Sequence, residues 1–242
     1  VLELYHSPIS TCSQKVRLVL AEKDLPWTSR EISFSAREHL SEAYLKLNPN
    51  GVVPTLVHDG DPIIDSSVIN EYLDDAFPDK PLRPRDLKAR ARMRAWRQYI
   101  DEVPTPAIRV PSFNQFFVAR WFGLSDEKFT DYANGLPLRK HFYKRMGRSG
   151  FSEQELTNAL EQLRQTLERM EASLGRGPWL NGDEYSLADV SVTPTIVRME
   201  DLGRVAMWHD LPRVADWYAR IQARPNFVVA YMPGSRDLGP NR

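Results

Sequence analysis

The chain is short of cysteine, of net charge and of long apolar runs, and each shortage excludes something. One thiol, Cys12, in 242 residues rules out an internal disulfide and fits a reducing compartment. Neither a cysteine cluster nor a close histidine pair offers ligand spacing: His6, His39, His58, His141 and His209 are scattered, so no metal site is expected. Thirty-two basic residues face 32 acidic ones, which leaves no global field to attract nucleic acid or an anionic membrane. No apolar run approaches the roughly 20 residues of a membrane span, and the chain opens on a strand-like pattern rather than a signal sequence. A soluble, cytoplasmic protein is the expectation.

At this length one large domain or two modest ones are both admissible, and the pattern along the chain decides. The first 78 residues alternate strand-like and helical runs. Leu2–Tyr5 reads as a strand, and the Gln14–Lys23 stretch as a helix with Val16, Val19 and Leu20 on one face, ended by Pro26. Trp27–Ile32 reads as a second strand, and Glu38–Leu47 as a short helix closed by the turn Asn48-Pro49-Asn50-Gly51. Thr55–Val57 and Pro62–Ile64 flank Asp59-Gly60-Asp61 as a hairpin. A helix over Ser67–Phe77 completes the order β-α-β-α-β-β-α.

Three prolines within seven residues, Pro78, Pro81 and Pro84, cannot continue a helix and mark a linker over 79–87. Residues 88–242 read as all-helical. The clearest helix carries Leu156, Leu160, Leu163, Leu167, Met170 and Leu174 at spacings of 4, 3, 4, 3 and 4, one buried stripe opened by a Ser152/Glu155 capping box. A second box, Ser186 to Asp189, opens a helix through Val192 and Ile196, with Tyr185 placed as its staple. A third holds Val214, Trp217, Tyr218 and Ile221. Between Pro104 and Gly150 prolines and glycines break the pattern, but aromatics are dense.

Chemistry concentrates at three places. Ser7-Pro8-Ile9-Ser10-Thr11-Cys12-Ser13 leads from the first strand into the first helix, where unpaired N–H groups and the positive end of the helix dipole favour an anion. A thiol of ordinary pKa about 8.5 can be held there as thiolate, although hydroxyl residues at a helix start also serve as plain N-caps. Val53-Pro54, entering a strand through proline, suggests a cis peptide that turns the Val53 backbone outward to pair with an extended peptide; a trans proline at an edge is the alternative. Asp65-Ser66-Ser67 is another helix start suited to a carboxylate.

Ser-Pro-Ile-Ser-Thr-Cys-Ser-Gln-Lys-Val-Arg, then Leu-Asn-Pro-Asn-Gly-Val-Val-Pro-Thr-Leu, Asp-Ser-Ser-Val-Ile-Asn-Glu-Tyr-Leu and Ser-Leu-Ala-Asp, in this order, resemble the soluble glutathione transferases from Leu2 to about Phe227. The resemblance implies a thioredoxin-like α/β domain that binds glutathione, an all-α domain that supplies most of the pocket for a hydrophobic electrophile, and a homodimer. It implies that Val53, through cis-Pro54, pairs with the cysteinyl backbone of glutathione, and that Asp65 and Ser66 hold its γ-glutamyl end, Asp65 standing where the family more often has Glu. His39 falls near the glycyl carboxylate contact, or is a lone surface histidine.

The activating position stays open within the same resemblance. Ser10 falls on the serine of the theta, phi and zeta classes and Cys12 on the cysteine of the bacterial beta class; Ser10 ranks first, then Thr11 and Ser13, whereas Cys12 would imply a mixed disulfide with glutathione. Phe113, Phe116, Phe117 and Trp121 are the candidates for the acceptor pocket, with core packing as the alternative. Leu82-Arg83-Pro84, the helix Ala89–Trp96, Leu124–Phe129 and the connection Arg145–Phe151 resemble the bacterial glutathione-dependent β-aryl etherases that cleave lignin-derived ethers, whose loop before the first helix differs from this one. The sequence admits three readings: a general glutathione transferase, a β-etherase, and a transferase-like module that binds without turnover.

Overall fold

The computed structural model describes residues 1–239. Residues 240–242, the end of the expected helical domain, lie outside the described residues.

Strand β1 (Leu2–His6) alternates buried and half-buried side chains, as a strand with one face on a core must. It pairs in parallel with β2 (Thr28–Glu31) and antiparallel with β3 (Thr55–His58), which pairs antiparallel with β4 (Asp61–Ile64), giving the order β2-β1-β3-β4. The β1–β3 register sets Leu4 opposite Leu56, both fully buried. Each such side chain contributes about 1.5–3 kcal/mol of burial. Helices α1 (Thr11–Glu22), α2 (Glu42–Leu47) and α3 (Ser66–Ala76) complete the β-α-β-α-β-β-α order read from the sequence. Helix α1 begins three residues before the expected Gln14. Ser10 caps it by accepting from the Ser13 N–H, a polar start that apolar periodicity does not register.

Beyond the prolines the chain is helical, as expected: α4 (Leu87–Glu102), α5 (Pro104–Ala107), α6 (Arg109–Ser112), a π-helical turn Phe113–Phe117, a 3-10 turn Val118–Trp121, α7 (Asp126–Asn134), α8 (Lys140–Met146), α9 (Glu153–Ser173), α10 (Leu187–Asp201), α11 (Pro212–Gln222) and α12 (Pro225–Ala230). Both capping boxes are present. The α9 stripe is buried at Leu163, Leu167, Met170 and Leu174 but only half-buried at Leu156 and Leu160, because the first turns of that helix extend past the core.

Helix α1 lies between the sheet and the helical half, packed on α3, α10 and α12, so even its charged residues are buried and each finds a partner. Lys15 Nζ reaches Asp101 at 2.7 Å and Lys23 Nζ reaches Asp74 at 2.8 Å. Arg17, 1% exposed, donates to the carbonyls of Pro8 and Ala230 at 2.9 and 2.8 Å and to Ser235 Oγ at 3.0 Å. Arg198 from α10 donates to the Ile9 carbonyl at 2.5 Å. Two buried guanidinium groups thus hold the loop between β1 and α1 by its carbonyls, and the helical half fixes where Ser10 stands.

Candidate active site

Above that loop the two halves of the chain enclose a cavity of about 670 Å³, the size of a small-molecule site. Ser10, Thr11 and Cys12 form part of its floor, Val53 and His39 one side, and Phe113, Phe117, Trp121, Phe142 and Tyr143 the opposite wall. The Ser10 Oγ accepts from the Ser13 N–H at 3.3 Å, which leaves its own proton free to donate. Cys12 is half-buried. Burial alone would raise its thiol, but the charges of Lys15, Arg109 and Arg139 and a hydrogen bond with Ser66 outweigh burial and bring it below its ordinary value. Ser13 does not reach the cavity. It is fully buried, and its Oγ accepts from the Ser7 N–H at 3.4 Å, so its hydroxyl closes the loop rather than facing a ligand.

The Val53–Pro54 peptide is cis. Val53 lines the cavity; Pro54 behind it does not. The turn that delivers Val53 passes through Gly51 at φ +59°, a conformation that favours glycine, and a Cβ there would press on Leu40 Cδ2 at 3.1 Å and Pro137 Cδ at 3.2 Å. Asp65 and Ser66 lie outside the cavity wall, beside it. Asp65 Oδ1 caps α3, accepting from the N–H groups of Ser67 and Val68 at 2.9 and 3.2 Å, and its backbone sits at φ +71°. Asp101 of α4 accepts from both Ser67 Oγ, at 2.5 Å, and Lys15. The starts of α1 and α3 are therefore held together from the helical half.

His39 is buried, 5% exposed, and not a surface residue. Burial, reinforced by Arg37, pulls it down to about 4, so at neutral pH it offers a neutral donor. His6, fully buried beneath the loop, is likewise lowered to about 4 by burial and by Arg17. Both bind fewer protons folded than unfolded between about 6.5 and 4, so stability is present above that window and lost as pH falls through it. The shifts correspond to about 3 kcal/mol apiece as an upper bound. Urea midpoints measured from pH 7 to 4 should fall steeply, and His39→Asn should flatten that slope; an unchanged slope would show that His39 does not contribute.

Of the four aromatics singled out by sequence, Phe113, Phe117 and Trp121 line the cavity and Phe116 does not. The Val118 N–H bonds to the Phe113 carbonyl, a wider i to i+5 closure that keeps residues 113 and 117 on one side and moves the residue three on, 116, off it. Phe113 is the hub, with ring centroids 5.2 Å from Phe117, 4.9 Å from Phe142 and 5.7 Å from Tyr143, and it stacks at 6.3 Å on Trp121. Sequence reading missed Tyr132, Phe142, Tyr143, Arg109, Arg120 and Arg139, all on the cavity wall. Burial pushes the Tyr143 hydroxyl well above its ordinary range, so it stays protonated as a donor.

The lowered Cys12 thiol makes a direct prediction. Iodoacetamide alkylation should titrate with a midpoint below that of a free thiol, about 8.5, and Arg139→Gln should move the midpoint upward. A midpoint at or above the free value would remove the arginines from the thiol's environment.

A four-stranded thioredoxin-like sheet with a cis-proline beside a hydroxyl-rich helix start, joined to a helical half across an aromatic cavity, defines the architecture of a thiol-cofactor transferase. Residues 4–81 match the family model for the glutathione S-transferase N-terminal domain and residues 153–220 the one for its C-terminal domain, and the chain belongs to the glutathione S-transferase family. It is 32% identical to Protein LigF of Sphingobium sp. (strain NBRC 103272 / SYK-6) over 98% of this chain and 95% of that one. It is 33% identical to glutathione S-transferase 1 of Dianthus caryophyllus over 81% and 76%. The crystal structure of beta-etherase LigF from Sphingobium sp. strain SYK-6 superposes with a TM-score of 0.84 at 30% identity, covering 93% of this chain and 96% of that chain. Among the described residues no helix is long and apolar enough to cross a membrane.

Proposed function

We propose that residues 1–78 bind glutathione and ionise its thiol at the start of α1, and that residues 88–242 present a hydrophobic aromatic electrophile to it from across the cavity. The observation that carries this reading is the joint placement of Ser10, Val53 and the aromatic wall on one cavity. The Val53 backbone pairs with the cysteinyl unit, Asp65 and Ser66 hold the γ-glutamyl end, His39 donates toward the glycyl carboxylate, and Ser10 donates to sulfur. Helix-dipole charge and a hydroxyl donor act more strongly on a thiolate than on a thiol, and this lowers the cofactor's pKa. The thiolate then attacks the carbon held across the cavity from it.

Within this reading, β-ether cleavage is the reaction favoured by the likeness to LigF along nearly the whole chain. The sulfur–carbon bond forms as the carbon–oxygen bond breaks, and the phenolate leaves with the electron pair and takes a proton from solvent. The test is incubation with glutathione and either a fluorogenic β-aryl ether or an activated aryl halide. Phenol release supports ether cleavage, and conjugation of the halide alone supports the general transferase. Calorimetric glutathione binding without turnover of either would overturn both and leave a binding module; absence of glutathione binding would remove the cofactor assignment itself.

A further inference from the structure

The cavity wall is aromatic, yet its charge is one-sided. Arg109, Arg120 and Arg139 all line it, and no aspartate or glutamate does. They come from three separate elements, α6, the 3-10 turn and the residue before α8. Among the described residues none of the three forms an ion pair with an acid, and Arg120 Nη2 is buried without a hydrogen-bond partner. Elsewhere a buried arginine has an acid or a carbonyl as partner, although Arg97 and Arg198 each leave Nε without a hydrogen bond. Arg97 pairs with Glu71 at 3.0 Å, and Arg17 spends its donors on carbonyls. Burial first, and after it the charge of Arg109, lower Arg139 to about 10. Three partly desolvated cations with no carboxylate on the wall, Arg109 and Arg139 facing the Cys12 thiol, oppose folding unless a ligand supplies the charge. In the proposed reading the carboxylates of glutathione lie at the start of α3 and at His39, so of its charged groups only the thiolate at the floor faces these arginines.

We infer that the second substrate is an arene carrying an anionic oxygen substituent, its ring held among Phe113, Trp121 and Phe142 and its charge met by Arg109, Arg120 and Arg139. The inference rests on the glutathione-dependent reading only in calling this cavity the acceptor site. A guanidinium presents a planar fork of donors suited to a carboxylate, and it stacks on aromatic faces; Arg120 already lies 5.3 Å from the Phe117 ring centre. The anionic group would fix the orientation of an otherwise featureless ring, which apolar contacts alone do poorly.

The test compares 2-naphthoate with its methyl ester by calorimetry at pH 7, with S-methylglutathione saturating the cofactor site. The carboxylate is expected to bind at least tenfold more tightly than the ester, with the advantage shrinking in salt. Arg120→Gln and Arg139→Gln, each checked for an unchanged melting temperature, should each reduce that ratio several-fold while leaving ester affinity in place. Equal affinity of acid and ester for the unsubstituted protein would overturn the inference without recourse to any variant. Binding of S-methylglutathione is read separately in the same titrations, so its failure would strike the cofactor assignment and leave the arene comparison to be decided on its own.

Discussion

Ser10→Ala is expected to lower kcat/KM for glutathione-dependent turnover by about 100-fold, the usual cost of removing one preorganised donor from a developing or resident anion. The Ser10 Oγ already accepts from the Ser13 N–H at 3.3 Å, so its hydrogen is the part left for sulfur. Alanine also deletes the N-cap of α1, at about 1 kcal/mol of stability, which thermal unfolding measures independently. Ser10→Thr keeps both the cap and the hydroxyl and should restore most of the rate. The glutathione KM should change little if, as proposed, the backbone of Val53 and the start of α3 carry binding, whereas the pH-rate profile should shift upward as the thiol loses its donor. Cys12→Ser is the counter-test. Cys12 lines the same cavity with a lowered thiol pKa, and if its loss costs more than that of Ser10, the attacking chemistry belongs to Cys12.

What could be read from the sequence follows the range of the interaction concerned. The seven-element order, both capping boxes and the cis-proline depend on residues within a few positions of each other, and these were legible. The start of α1 was misplaced by three residues because Thr11, Cys12 and Ser13 carry no apolar signal. Lys15 and Lys23 are both buried, which the helical pattern did not address; their partners stand 86 and 51 residues away, a distance periodicity does not span. The cavity was half visible. Its floor is one contiguous motif, whereas its wall is built from α6, a π-helical turn, a 3-10 turn, α7 and α8, short pieces joined end to end with Pro104, Pro106 and Pro111 nearby. Too short for a period to register, they hid Arg109, Arg120 and Arg139, which share no spacing and meet only in the folded chain. Phe116 was included with its neighbours on aromatic density alone, which does not tell one side of the π-helical turn from the other.

Asp189→Ala is expected to cost about 3–5 kcal/mol, a large share of the 5–15 kcal/mol that keeps a protein folded. Asp189 is fully buried. Oδ1 accepts from the Leu180 N–H at 3.0 Å and from Trp217 Nε1 at 2.9 Å, and Oδ2 accepts from the Ser186 N–H at 3.1 Å and its hydroxyl at 3.2 Å. One carboxylate therefore joins the loop before α10, the start of α10 and the middle of α11, and alanine would strand several buried donors together. The damage should reach the active site, since α10 carries Arg198, which holds the Ile9 carbonyl beside Ser10. The pH dependence distinguishes charge from hydrogen bonding. Burial raises the carboxyl to about 6 in spite of its four donors, so the folded state binds the proton more tightly than the unfolded state does. This contribution is fully present below about 3.8 and is lost as pH rises through 6, opposite in sign to that of the two buried histidines. Asp189→Asn, uncharged throughout, should thus be most destabilising relative to the parent near pH 4 and less so above pH 6. A gap in urea midpoints that widens with pH instead would show the ionised carboxylate to be the favoured form, and burial to be outweighed by its donors.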